Sequence, residues 1–224
     1  MSFKDRSDAG RKLALALRDY KNRQPVALAL PCGGVPVAAK VAAALDAPLD
    51  LILVRKIGLP YQPELAMGAV VDGDKSLVVR NEHVIQSAGI AESEFNAVCD
   101  SELAEIERRR QRYLGSRERV EVAGRIVIVI DEGIATGATT RAALRATRSR
   151  KPKKLILAVP VAPADSLAVM QQEADEVVCL ETHTDFGAIG FYYSNFRPVS
   201  DDEVIELLAR FPARKQKQSS QPAA

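Results

Sequence analysis

The chain has 224 residues, 47% hydrophobic and 27% charged, which is a globular composition and excludes a fibrous or wholly disordered protein. No apolar run approaches the roughly 18 residues of a membrane span, and the charged start MSFKDRSDAGRKLALALRDY offers no apolar core or small-residue cleavage site for a secretory signal. Formal net charge is +2, but Arg214, Lys215 and Lys217 put +3 on the tail and leave the body at −1, unlike the basic face of a nucleic-acid binder. Cys32, Cys99 and Cys179 are far apart and form no CxxC, which fits reduced thiols in a cytoplasm and suggests no zinc site.

In chain order, residues 6–20 carry Leu13, Leu15, Leu17 and Tyr20 among charges and read as a helix. VALALPCGG, from Val26, is a short buried strand stopped by Pro31 and two glycines. VPVAAKVAAALDA (35–47) is helical, with Pro36 in its first turn. LDLILVRK (49–56) reads as a second strand ending in two cations. Residues 57–75, with two prolines and three glycines, read as a loop with a short strand at 68–71. SLVVR (76–80) is another strand, His83 falls in a loop, and 92–114 is the longest helical pattern. From Arg125, strands at 125–130, 154–161 and 176–181 alternate with helices to about Arg148 and at 164–173. DDEVIELLARF (201–211) closes as a capped helix. Continuous apolar strands alternating with helices predict a doubly wound α/β domain with a mainly parallel sheet of about five strands. The polar tail 213–224 is expected to be disordered, leaving 1–212 as a single domain.

In such sheets the ligand lies beyond the carboxyl ends of the strands. There, strand 125–130 runs into Asp131, Glu132, Gly133, Ile134, Ala135, Thr136, Gly137, Ala138, Thr139 and Thr140, and then a helix. Backbone N–H groups, a helix dipole and threonine hydroxyls suit a phosphate. The two carboxylates suit the vicinal hydroxyls of a neighbouring sugar. The loop lacks the lysine of a P-loop, and no GxGxxG follows the first strand.

IVIVIDEGIATGATT resembles the phosphoribosyl pyrophosphate (PRPP) signature of type I phosphoribosyltransferases. FKDRSDAGRKLALAL, VRKIGLPYQPELAMGAV and VSDDEVIELL extend the likeness to a bacterial subfamily of predicted phosphoribosyltransferases over most of residues 3–210. The resemblance implies the type I phosphoribosyltransferase fold with a C-terminal hood at about 182–212, a helical insertion at about 91–119 and a flap at about 57–75 closing over PRPP. It implies that Asp131 and Glu132 bind the ribose hydroxyls, that Ile134 to Thr140 hold the 5′-phosphate, and that the Cys32-Gly33-Gly34 loop grips pyrophosphate. Arg55 and Lys56 would neutralise the departing pyrophosphate. Magnesium would be held mainly by PRPP and water. His183, Asp185, Phe186, Phe191 and Tyr192 are the side chains available to an acceptor under the hood, where Phe191 and Tyr192 either stack on a flat base or pack the hood itself.

Three departures bear on the acceptor and on the grip. Glu132 stands where many relatives have Asp, and Cys32 where they often have Arg. Ala135 replaces an Asp proposed as general base in the hypoxanthine–guanine enzymes, which argues against a 6-oxopurine acceptor. The expected activity is phosphoribosyl transfer from PRPP to an unidentified, nucleobase-like acceptor in nucleotide metabolism, by a cytoplasmic homodimer. The alternative is a PRPP-binding regulator without transferase activity. Its support is the run Arg108, Arg109, Arg110, Arg112, Arg117 and Arg119, but interleaved glutamates leave +1 over 102–121, the pattern of a salt-bridged solvent or dimer face.

Overall fold

Short apolar strands alternate with helices along most of the chain, and strands buried on both faces require helices above and below the sheet. The computed structural model describes residues 2–72 and 76–211. It begins with α1 (Arg6–Ala16), a 3-10 turn (Arg18–Arg23), β1 (Val26–Ala29), α2 (Gly34–Leu45) and β2 (Leu49–Leu51). Then follow β3 (Val54–Leu59), β4 (Gln62–Val71), β5 (Leu77–Arg80), α3 (Glu82–Ser87) and α4 (Glu92–Leu114). The rest is β6 (Ile126–Ile130), α5 (Ala138–Ser149), β7 (Lys154–Pro163), α6 (Ala164–Met170), β8 (Glu176–His183), a 3-10 turn (Ile189–Tyr192) and α7 (Asp201–Ala209). The expected disordered tail lies outside the described residues.

Five strands form the central sheet in the order β2-β1-β6-β7-β8, every pair parallel. Alternate side chains build two cores. Ala27, Ala29, Ile128, Ile130 and Ile156 join Leu13, Leu17 and the apolar face of α2 on one side. Val26, Leu28, Val127, Val129 and Leu157 join Ala143 and Leu144 of α5 on the other. All five residues of each strand group are wholly buried, and each Val, Leu or Ile among them contributes about 1.5–3 kcal/mol relative to exposure. The chain steps from β1 outward to β2 and returns on the other side as β6, so the loops after β1 and β6 diverge. That is the switch point at which doubly wound sheets open a crevice.

The second expected strand divides in two. The central sheet keeps only Leu49–Leu51; after Ile52 and Leu53 the chain enters a separate antiparallel sheet, β3-β4-β5. Arg55 and Lys56 therefore lie within β3 and do not end a central strand. The expected loop at 57–75 is mostly this ladder, with Ile57 opposite Gly68 and Gly58 opposite Ala66. Glycine here serves close strand approach, not a turn: a Cβ on Gly68 would lie 2.5 Å from the Val79 carbonyl oxygen. Ile57 and Met67 pack into the core that holds Phe95 of α4. His83 lies on α3, not in a loop.

In α4, Phe95, Cys99, Ile106 and Tyr113 recur at helical spacing and are buried. Its arginines do not form one free face. Glu105 pairs with Arg108 and Arg109 on the surface, each at 2.7 Å. Arg112 instead reaches Asp201 at 3.0 Å, Arg119 pairs with Asp72, and Arg117 donates to the carbonyls of Leu49, Leu208 and Phe211. These last contacts tie the end of α4 and the chain after it to α7 and to the strand edge.

Candidate active site

β6 ends at Ile130, so Asp131 and Glu132 emerge directly into the crevice beside the loop that follows β1. The Glu132 N–H donates to Asp131 Oδ1 at 2.8 Å, turning the first carboxyl back towards the sheet. Both acids lie over the glycine pair of the neighbouring loop. A Cβ on Gly34 would sit 3.1 Å from Asp131 Oδ1, and one on Gly33 only 2.0 Å from Glu132 Oε2. A side chain at position 33 would push the Glu132 carboxylate, the far end of a flexible side chain, away from Arg6.

Glu132 is held by two residues that the sequence reading missed. Arg6, the first residue of α1 and 9% exposed, donates from Nε to the Glu132 carboxylate and from Nη1 to the Arg197 carbonyl at 2.8 Å. Its guanidinium lies 4.0 Å from the centre of the Phe196 ring. The Tyr193 hydroxyl donates to the Glu132 main-chain oxygen at 2.6 Å. The start of the chain is fastened to the same segment: Phe3 N–H donates to Tyr192 O at 2.9 Å and Ser194 N–H to Phe3 O at 2.8 Å. An arginine among the charges of an N-terminal helix carries no local signal of this partnership across 126 residues.

Asp131 is half-buried at the surface of the crevice, yet its carboxyl is densely surrounded. Desolvation, with the adjacent Glu132 charge second, pushes it up to about 8, while its hydrogen bond from Glu132 and the Arg6 charge act in the opposite direction.

Residues 133–140 form the second wall. Gly133 and Ile134 are buried, and Ile134 N–H donates to Val161 O at 2.9 Å. Ser166 Oγ donates to the Ala135 carbonyl at 2.8 Å. Thr136, Ala138 and Thr139 are exposed, whereas Thr140 is buried. Gly137, with φ +78°, caps α5, which has no side-chain cap and no acid in its first turn. Its first N–H groups and its dipole are thus left to favour an anion.

Across the crevice, the Pro31–Cys32 peptide is cis. The turn bonds use Gly34 N–H to Leu30 O and Val35 N–H to Cys32 O. Cys32 Sγ lies 3.5 Å from the Tyr113 hydroxyl, which donates to Asp201 Oδ1 at 2.5 Å. This links the glycine loop to α4 and α7. Burial, followed by the hydrogen bond to Asp201, holds the Tyr113 phenol well above its usual range.

The structure thus brings together Asp131, Glu132, Gly33 and Gly34, with Cys32 beside them and the 133–140 loop on the same strand end. It keeps Arg55 apart, paired with Glu102 of α4 at 2.6 Å. Lys56 lines a cleft with Arg55, Val98 and Glu102 between β3 and α4. In the hood, Tyr192 packs against His183 at 4.5 Å and Phe186 at 5.0 Å between ring centres. His183 Nε2 also lies 3.4 Å from Glu181. Phe191, 70% exposed, is the ring left open, and Asp185 is exposed.

The family model described as the phosphoribosyl transferase domain matches residues 4–195. The chain belongs to the phosphoribosyltransferase family. Two Mycobacterium tuberculosis proteins, from strains CDC 1551 / Oshkosh and ATCC 25618 / H37Rv, each bear the name "Putative phosphoribosyl transferase" and are 46% identical over 208 residues, 93% of this chain. The chain spans about half the length of these curated relatives, 46% of each. The crystal structure of TT1426 from Thermus thermophilus is 37% identical, with a TM-score of 0.81 over 95% of this chain and 100% of that one. The phosphoribosyltransferase match includes Arg6 and Tyr193 as well as Glu132, which they hold. Among the described residues no group of three or more His, Cys, Asp or Glu side chains is placed to hold a metal ion, and no helix is long and apolar enough to cross a membrane.

Proposed function

We propose that this phosphoribosyltransferase moves 5-phosphoribose from PRPP to a nucleobase-like acceptor and releases pyrophosphate, as a step in nucleotide metabolism. The observation that carries the proposal is the pairing of two βα junctions at the switch point. One presents two acids and an uncapped helix N-terminus with exposed threonines; the other presents a glycine loop. A molecule with a phosphate at one end, vicinal hydroxyls in the middle and a second anion beyond them matches that order of groups.

In this reading Asp131 accepts hydrogen bonds from the ribose hydroxyls, and the 134–140 loop holds the 5′-phosphate through N–H groups and through Thr136 and Thr139. The Cys32-Gly33-Gly34 loop faces the pyrophosphate. Breaking the bond from C1′ to pyrophosphate develops positive charge on the sugar, and fixed groups aimed at both fragments lower that barrier more than mobile water does. The residues present fit a magnesium ion carried chiefly by the donor and by water, since Glu132 is engaged by Arg6 and Asp131 is the one acid left facing the ribose. Bound there, magnesium would neutralise pyrophosphate charge. The β3–β4 ladder, with Arg55 and Lys56 on it, is the candidate flap, and Phe191 the candidate acceptor-facing ring.

Three unbridged cysteines favour a reducing cytoplasm, and a homodimer is the expected assembly. The partly buried anchoring of Arg117 and Arg119, and the pairing of exposed Arg112 with Asp201, weaken the case for a nucleic-acid-binding regulator. Titration calorimetry with PRPP and magnesium, followed by a nucleobase panel monitored for pyrophosphate, tests the proposal. Binding lost in Asp131→Asn together with release for one base supports the enzyme; binding without release for any base turns the reading towards the regulator.

A further inference from the structure

The glycine loop expected to receive an anion already lies under one. The Glu132 carboxylate fills the space over Gly33, with both oxygens within 2.2 Å of where a Cβ would stand. A second anion cannot share that volume, and like charges at such range repel strongly. The cation holding Glu132 in place is Arg6, which is anchored independently by the Arg197 carbonyl and by the face of Phe196. Arg6 therefore does not depend on Glu132 for its position. Beside it opens a cleft lined by Asp5, Ser7, Asn195, Arg197 and Glu203, which gives neighbouring side chains room to rearrange.

We propose that Arg6 and Glu132 form an internal latch over the Cys32-Gly33-Gly34 loop, in which the Glu132 carboxylate occupies the place of the donor's diphosphate until the donor displaces it and becomes the new partner of Arg6. The inference deepens the PRPP reading and rests on it. It assigns Arg6 two roles: positioning Glu132 in the free protein and binding the diphosphate in the complex. Arginine suits that exchange because its planar fork pairs with carboxylate and phosphate oxygens alike. The N-terminal segment is then part of the donor site, because the bonds of Phe3 to Tyr192 and Ser194 set where α1 begins.

The latch makes a prediction of opposite sign for its two members. In a merely structural ion pair, removing either partner weakens the site. In a latch, Glu132→Gln, nearly the same shape without the charge, loses its ion pair with Arg6 and its repulsion of an incoming anion, so the side chain is displaced more easily and inorganic pyrophosphate binds more tightly, by about threefold to tenfold. Arg6→Gln weakens pyrophosphate by about tenfold or more, and Arg6→Lys recovers part of the loss. The experiment is calorimetric titration of the full chain and these three variants with inorganic pyrophosphate, each variant first checked for a native circular dichroism spectrum. Tighter binding in Glu132→Gln with weaker binding in Arg6→Gln bears the latch out. Unchanged or weaker binding in Glu132→Gln overturns it, as does absence of pyrophosphate binding in every form. PRPP with magnesium, titrated into wild type and Asp131→Asn in the same series, separates the two ideas. Asp131-dependent PRPP binding with no gain in Glu132→Gln removes the latch and keeps the enzyme; the converse keeps an anion latch and removes the PRPP reading.

Discussion

The Tyr193 hydroxyl donates to the main-chain oxygen of Glu132 at 2.6 Å, joining the hood segment to the second residue beyond the end of β6. Tyr193 is 2% exposed and packs, tilted, between Phe3, at 5.3 Å, and Phe196, at 5.0 Å between ring centres. Burial, then the Glu132 charge, holds its phenol above the usual range, so it stays a donor. Tyr193→Phe keeps the rings and leaves a carbonyl unpaired, and we expect a loss of about 1–2 kcal/mol. Urea denaturation measures it.

Gly33→Ala should act mainly by disturbing the Arg6–Glu132 pair. Its Cβ would fall 2.0 Å from the Glu132 carboxylate, so the acid must leave Arg6 or the loop must move. Combining Gly33→Ala with Glu132→Ala removes the collision. The double variant should be more stable than Gly33→Ala alone, a coupling of about 1–3 kcal/mol in a thermodynamic cycle.

The acids and the loop that follows β6 were legible in the sequence because their chemistry is local: two carboxylates after a buried strand, then threonines at a helix start. The parallel sheet was legible for the same reason. The exit of the chain from that sheet at Ile52-Leu53 was not, since Leu51 to Val54 are all apolar and nothing among them marks a change of sheet. The β3–β4 ladder was misread because Gly58 and Gly68 look like loop punctuation, whereas they permit close strand approach. Arg6 and Tyr193 reach Glu132 from positions over sixty residues away, which no periodicity or spacing reveals.

Stability and ligand binding should depend on pH in opposite directions through Asp131. Its carboxyl is raised from 3.8 to about 8 in the folded chain, so folding takes up a proton between those values. The favourable contribution of the protonated group is complete below about pH 4 and is lost as pH rises through 8. Asp131→Asn should flatten that decline in a series of thermal melts. PRPP affinity, if it uses the carboxylate, should rise with pH up to about 8, by at most tenfold per unit, and calorimetry in buffers of different ionisation enthalpy should detect proton release.

Thr136 and Thr139 are exposed at the start of α5, so their hydroxyls contribute little to folding. Thr136→Ala and Thr139→Ala should each leave the melting temperature within a degree or two while lowering PRPP affinity by about threefold to tenfold. Equal losses for ribose 5-phosphate, with none for inorganic pyrophosphate, would locate them at the 5′-phosphate end.

The fastening of residues 2–6 to residues 192–197 also bears on the order of folding. The widest pairing in the central sheet, β1 with β6, joins residues about 100 apart, whereas Arg6 meets the Arg197 carbonyl across 191 residues. Contacts of such separation carry the largest loop-closure cost and tend to form late. A chain still on the ribosome can carry the whole acid-and-threonine loop and lack a finished site until the hood has emerged. Truncation just before the hood would therefore leave a chain with the family motif intact, Glu132 without Tyr193, and Arg6 without the Arg197 carbonyl and Phe196 ring that anchor it.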